Sequence, residues 1–262
     1  MTRFDVNLSI LFTELPLLDR PSAAAGAGFD AVEFWWPFDT PTPAAADVDR
    51  FVGAVHDAGV RLVGLNFFAG DMPGGDRGVL SLPARSAEFV ANVPVAVDIA
   101  ERLGCRALNA LYGNRVDGAD PAEQDALAVA NLARAAAAFD GVVLVEPLSG
   151  APRYPLRTAA DALAVIDRVG ADNVKLLADL YHLTVNGDDL DAVIAEHTGR
   201  IGHVQIADAP GRHEPGTGSL DLDAHLQKLA ANGYPGHVGL EYVPSGASAD
   251  SFGWLRKGTE TS

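Results

Sequence analysis

VVLVEPLSGAPRYPLRTAADALAVIDRVGADNVKLLADLYH, residues 142–182, decides the fold. The run Val142–Leu148 is short, apolar and rich in Val and Leu, the pattern of a strand buried on both faces. Thr158 then precedes AADALAVIDRV, whose apolar residues recur at helical spacing and stop at Gly170, so Thr158–Val169 reads as a helix with a signal at each end. A second buried run, Val174–Leu180, follows directly. Strand, helix and strand in this order form the repeating unit of a parallel sheet.

The same unit recurs in both directions. Apolar runs stand at Val6–Phe12, Ala31–Trp36, Arg61–Phe67 and Arg106–Leu111 before it, and at Ile201–Asp208 and His237–Tyr242 after it, eight in all. Helical spacing marks Ser86–Leu103, Pro121–Phe139 and Leu220–Ala231. Asp120-Pro121 is an N-cap followed by proline at the first helical position, and Pro94 predicts a kink or a later start in its helix. Gly28, Gly59, Gly104 and Gly233 sit between a helix and the next strand, where a left-handed glycine ends a helix. Eight alternations in 262 residues fit one (β/α)8 TIM barrel over residues 1–262, with 245–262 as a cap or tail. An open doubly wound sheet fits less well, because the first run leads into Phe12-Thr13-Glu14-Leu15-Pro16 rather than a G-x-G-x-x-G turn.

Composition narrows the function classes. The chain is 48% hydrophobic and carries 35 acidic against 19 basic residues, a formal charge of -16. That sign opposes binding to nucleic acid or to an anionic membrane, so the expected partner is a small molecule. Cys105, the single cysteine, allows no intrachain disulfide; it suits a reducing compartment and reads as core. Arg3, Asp5, Glu14 and Asp19 interrupt the N-terminal apolar stretch, which argues against a signal peptide, and no apolar stretch is long enough to span a bilayer. A cytoplasmic location is expected. Neither a G-x-S-x-G elbow nor a P-loop occurs.

A barrel places its active site where the strands end at their C-terminal face, so polar residues there are the candidates. Glu146, Asp179, Gln205 and Glu241 end four consecutive runs at separations of 33, 26 and 36 residues. Singly, each has an ordinary role: Asp179 as a cap, Glu241 as an arginine partner, Gln205 as a backbone donor or acceptor. Repeated on successive strands, they can converge on one point. Buried carboxylates are costly unless protonated, paired or coordinated, and three of them sum to -3, which a divalent cation reduces to -1. The all-oxygen set favours Mg2+ or Mn2+ over Zn2+. His203 shares a strand face with Gln205 and reads as a satisfied core residue. Arg212 and Arg153 are the candidate anchors for a substrate carboxylate.

NLSILFTELPLLDRPSAAAGAGFDAVEFWWPFD (7–39), GDMPGGDRG (70–78), HVQIADAPGRHEPGTG (203–218) and GLEYVPSG (239–246) resemble hydroxypyruvate isomerases. These lie within the xylose-isomerase-like superfamily, which also holds tagatose-3-epimerase-type enzymes. The resemblance covers nearly the whole chain and is most specific at His203–Gly218. It implies that Glu146, Asp179, Gln205 and Glu241 hold a metal, that Glu146 and Glu241 also transfer protons, that His182 and Arg212 contact substrate oxygens, and that the chain forms a homo-oligomer. The implied reaction moves a carbonyl between neighbouring carbons through a metal-bound cis-enediolate, converting hydroxypyruvate to 2-hydroxy-3-oxopropanoate. Ser149, Phe68 and Ser219 depart from the family pattern, and Trp35-Trp36 adds bulk, which bears on the substrate more than on the reaction. The alternatives are an epimerase or aldose–ketose isomerase acting on a longer sugar or 2-oxo sugar acid, and a barrel that only senses a sugar acid. A nuclease would need more histidines and a basic face.

Overall fold

Seven of the eight apolar runs contain a strand, the first overlaps one only at Val6 and Asn7, and the strands close into a parallel barrel in sequence order. The computed structural model describes residues 2–257. The strands are β1 (Arg3–Asn7), β2 (Ala31–Phe34), β3 (Arg61–Asn66), β4 (Ala107–Asn109), β5 (Val142–Val145), β6 (Val174–Asp179), β7 (Ile201–Ile206) and β8 (His237–Leu240). Closure comes from β1 against β8, with Phe4 opposite Val238 and Val6 opposite Leu240.

Between the strands run α1 (Arg20–Gly26), α2 (Ala45–Asp57), α3 (Ser86–Leu103), α4 (Pro121–Ala138), α5 (Ala159–Val169), the pair α6 (Leu180–Asn186) and α7 (Leu190–His197), and α8 (Leu222–Ala231). Their ends follow the sequence signals. Thr158 Oγ1 accepts from Asp161 N while the Asp161 carboxylate accepts from Thr158 N, a full capping box for α5. Asp120 accepts from Ala122 N at the start of α4. Gly28, Gly59, Gly104 and Gly233 all take positive φ.

Two expectations change. The helix around Pro94 starts at Ser86, so there is no later start; the proline is accommodated inside α3. The run Val6–Phe12 is strand only to Asn7. Asn7 Oδ1 accepts from Ser9 N and turns the chain, and Leu8, Leu11 and Phe12 are buried as loop residues, which is why they read as strand.

Inward and outward positions alternate along each strand. Outward residues pack with the helices into the main core. Inside the barrel, Ala107, Leu144 and Leu177 form a small separate apolar cluster on β4–β6. The other inward positions are polar: Asp5, Asn7, Glu33, Asn66, Asn109, Asp179, His203 and Gln205 are all buried. After β8, the described part of the tail adds Phe252 beside Phe12 and Phe29, and Trp254 edge-on to Phe4. Residues 258–262 of the expected cap lie outside the described residues.

Candidate active site

The four strand-end candidates meet. Glu146 and Glu241 follow β5 and β8 directly, Asp179 ends β6 and Gln205 lies in β7, all buried. Ligand atoms from Glu146, Asp179, His182 and Glu241 lie within 4.8 Å of one another. Glu146, His182 and Glu241 line a cleft of about 930 Å3, together with Trp35, Trp36, Phe38, Phe68, Arg77 and Arg212.

Each side chain is held differently. Glu146 Oε2 accepts from Asn109 Nδ2 at 2.7 Å. Glu241 is the most tightly bound: Oε1 accepts from Trp35 Nε1 (2.7 Å) and Asn7 Nδ2 (2.9 Å), and Oε2 accepts from Arg212 Nη2 (2.5 Å). Asp179 Oδ1 caps α6 by accepting from Tyr181 N at 2.8 Å, so its ordinary role is real, yet Oδ2 has no hydrogen-bond partner. Gln205 Nε2 donates to Glu33 Oε1 at 2.7 Å and leaves Oε1 unpartnered. Two buried acceptors without donors beside two more carboxylates are what an oxygen-ligated divalent cation satisfies. Glu146, Asp179, Gln205 and Glu241 therefore fit such an ion.

Burial drives the electrostatics. It lifts Glu146 well above the usual carboxylate range, with the charges of Glu241 and Asp179 adding to the rise. It also raises Asp179 against the pull of Arg212, and pushes Glu241 up to about 7. His182 moves the other way, to about 3, through burial and the nearby Arg212, and is neutral. Its Nδ1 accepts from Ser149 N at 3.1 Å, so the neutral ring carries its proton on Nε2, the atom 3.5 Å from Asp179 Oδ2. A protonated Nε2 donates rather than ligates, which separates His182 from the four oxygen ligands.

Beneath this layer sits a second one that sequence reasoning missed. Glu33 accepts from Asn7, Gln205 and His203, and so braces two strands that carry site residues. Room for it comes from Gly239, where a Cβ would stand 2.7 Å from Glu33 Oε1 and 3.0 Å from Gln205 Cγ. His203 is the satisfied core residue expected. Burial opposes its charge, but Glu33, at 2.7 Å, holds it up to about 9. A raised histidine stabilises the fold fully below its unfolded value near 6.5 and loses that contribution as pH rises toward 9. Thermal melts between pH 6 and 9.5 are therefore expected to fall more steeply for the wild type than for His203→Gln; parallel slopes would rule this out.

The loop after β7 hangs on one carboxylate. Asp208 accepts from the backbone N–H groups of Ala209, Gly216, Gly218 and Leu220, at 2.8–3.1 Å. Arg212 rides on this loop, pairs with Glu241 and reaches Asp179 at 3.8 Å. Arg153 does not join the site: it is exposed and lies outside the residues lining the cleft. Ser219 braces Ala209 instead of reaching the cleft, whereas Phe68 and Ser149 line it. Asn7, Glu33 and Asn109 went unpredicted, as did the hydrogen bond from Trp35 to Glu241; the period-two alternation that singles out Glu146 also marks Asn109 and Glu33.

The xylose isomerase-like TIM barrel family matches residues 21–258. The chain belongs to that family. A Streptomyces coelicolor protein, whose hydroxypyruvate isomerase name is itself provisional, is 59% identical over 98% of this chain and 96% of its own length. A Cupriavidus necator 2-oxo-tetronate isomerase is 36% identical over 98% of both chains. A solved Brucella melitensis structure named as an AP endonuclease of family 2 superposes with a TM-score of 0.90 at 35% identity, covering 98% of this chain and 99% of its own. Within the family the chain groups with the hydroxypyruvate isomerases and is an isomerase of the aldose–ketose type. No described helix is long and apolar enough to cross a membrane.

Proposed function

We propose that this isomerase interconverts a short 3-hydroxy-2-oxo acid and its aldehyde isomer, with hydroxypyruvate and 2-hydroxy-3-oxopropanoate as the pair. The observation that carries the reading is the placement of Glu146 and Glu241 on one cleft, their oxygens within 4.8 Å of those of Asp179. One glutamate takes the proton from C3 as the electron pair forms the C2–C3 double bond of an enediolate, the C3 hydroxyl proton passes to the C2 oxygen, and the other glutamate, protonated at the start, delivers a proton to C2 as the C3 oxygen becomes the carbonyl. Because the reaction is reversible, each is the base in one direction. His182 Nε2–H and Arg212 face the cleft as donors to the oxygens on which charge develops. The indoles of Trp35 and Trp36 and the ring of Phe38 supply the apolar part of the cleft lining. Glu146, Asp179, Gln205 and Glu241 would hold the divalent cation, Mg2+ or Mn2+, which when bound supplies Lewis acidity at those oxygens.

One observation favours a longer acid as the second reading. A three-carbon acid fills a small part of about 930 Å3, leaving room for a four-carbon 2-oxo acid of the kind named for the Cupriavidus relative. Nuclease chemistry is not supported, since a chain of charge -16 repels a phosphate backbone. The test is proton NMR in D2O with hydroxypyruvate, a four-carbon 2-oxo acid and neutral ketoses, in the presence of Mg2+ or Mn2+. Solvent deuterium is expected beside the carbonyl of an acid; exchange with the neutral sugars alone would move the assignment to the epimerase alternative.

A further inference from the structure

The site holds three carboxylates, and an acid substrate brings a fourth negative charge, so something must compensate it. Arg212 holds Glu241 and Asp179 through Nη2, which leaves its Nε–H, without a partner among the described residues, for the reacting oxygens; drawing the whole guanidinium onto a carboxylate would strip those two groups of their cation. Arg85, also on the cleft, is held by Asp76 and Glu88. Arg20 spends Nε and Nη1 on the carbonyls of Leu15 and Leu8.

Arg77 differs from all three. It follows β3 in the GDMPGGDRG segment, lines the same cleft as Glu146, His182 and Glu241, and lies near enough for its charge to oppose protonation of His182. Among the described residues no carboxylate lies within ion-pair distance of it. Its Nη1 alone is engaged, donating to the carbonyls of Met72 (3.0 Å) and Asp76 (2.6 Å). The side-on edge, Nε with Nη2, has no protein acceptor, and that edge is the fork that grips a carboxylate through two parallel hydrogen bonds.

The loop is built to hold that posture. Asp76 accepts from Asp71 N and Arg85, and Gly113 N donates to the Arg77 carbonyl at 2.8 Å. Gly78 takes φ +101°, and a Cβ there would stand 1.9 Å from the Leu111 carbonyl oxygen, so only glycine lets the loop lie this close to β4. Gly78→Ala is accordingly expected to lower the Tm by about 5 °C; an unchanged Tm would show that the loop is not braced in this way.

We propose that Arg77 anchors the carboxylate of the substrate, and so confers preference for 2-oxo acids over neutral ketoses. The assignment rests on the reaction proposed above. The anchor binds a group that does not react, so its loss weakens ground state and transition state alike and is expressed in KM more than in kcat.

The experiment compares wild type, Arg77→Gln and Arg77→Lys, with Mn2+ present, on hydroxypyruvate and on dihydroxyacetone, its neutral analogue, by deuterium exchange. The acid-over-neutral ratio of kcat/KM is expected to fall about 30-fold in Arg77→Gln, mainly through KM, and less in Arg77→Lys, which keeps the charge but not the fork. Thermal melts and the retained rate on the neutral analogue separate this from misfolding. An undiminished ratio in both variants, with the wild type active on the acid, would overturn the Arg77 assignment alone. A wild type that enolises no acid would overturn the reaction proposal, and this inference with it.

Discussion

Glu241→Gln and Glu146→Gln are each expected to lower kcat by about 10³-fold while the protein folds and still takes up metal. Glutamine keeps the shape of the side chain and an oxygen acceptor. In Glu241→Gln that oxygen still meets the donors of Asn7 and Trp35, and Gln205 already places an amide among the candidate ligands. What is lost is the capacity to bind and release a proton. Deuterium exchange separates this from a binding defect, since either substitution removes one of the two transfers and stops net isomerisation. A variant of either glutamate that keeps isomerisation within about threefold of wild type would show that the pair does not divide the proton transfers.

The second large effect concerns the ion. Asp179 Oδ2 and Gln205 Oε1 have no partner among the described residues and burial raises Glu146 and Asp179, all of which a divalent cation relieves. Mg2+ or Mn2+ at about 100 times its Kd adds about 2.7 kcal/mol. For a chain of this length that corresponds to a Tm increase of about 5–10 °C. Asp179→Ala loses the cap of α6 as well, about 1 kcal/mol, so its baseline falls too. The quantity to read is the metal-dependent increment, expected to vanish in this variant. A wild-type Tm indifferent to both chelation and added metal would remove the cation from the site.

The barrel was legible because its strands are buried on both faces and several helices end in recognisable cap chemistry, as at Thr158 and Gly170. The boundary of β1 was not, because Leu8, Leu11 and Phe12 are as buried in a loop as they would be in a strand. The convergence of the four candidate ligand positions could be read from their spacing, since one polar residue at the close of each apolar run is anomalous wherever it falls. The supporting layer was harder. Glu33 stands inside a run that also holds Phe34 and two tryptophans, and nothing local says that it meets His203 and Gln205, 170 and 172 residues away. Arg153 illustrates the opposite error: its guanidinium made it a candidate carboxylate anchor, but the loop after β5 turns it to solvent.

Asp208 makes the segment from Ala209 to Leu220 a pre-folded support for Arg212. One carboxylate gathers four amides at the base of the loop, and Gly218, where a Cβ would stand 2.3 Å from the Ala209 carbonyl oxygen, lets the chain close around it. The ordering of this segment is thus settled by backbone contacts before any ligand arrives, and the guanidinium is presented with little freedom left to lose. An aspartate can therefore sharpen the site without ever touching the substrate.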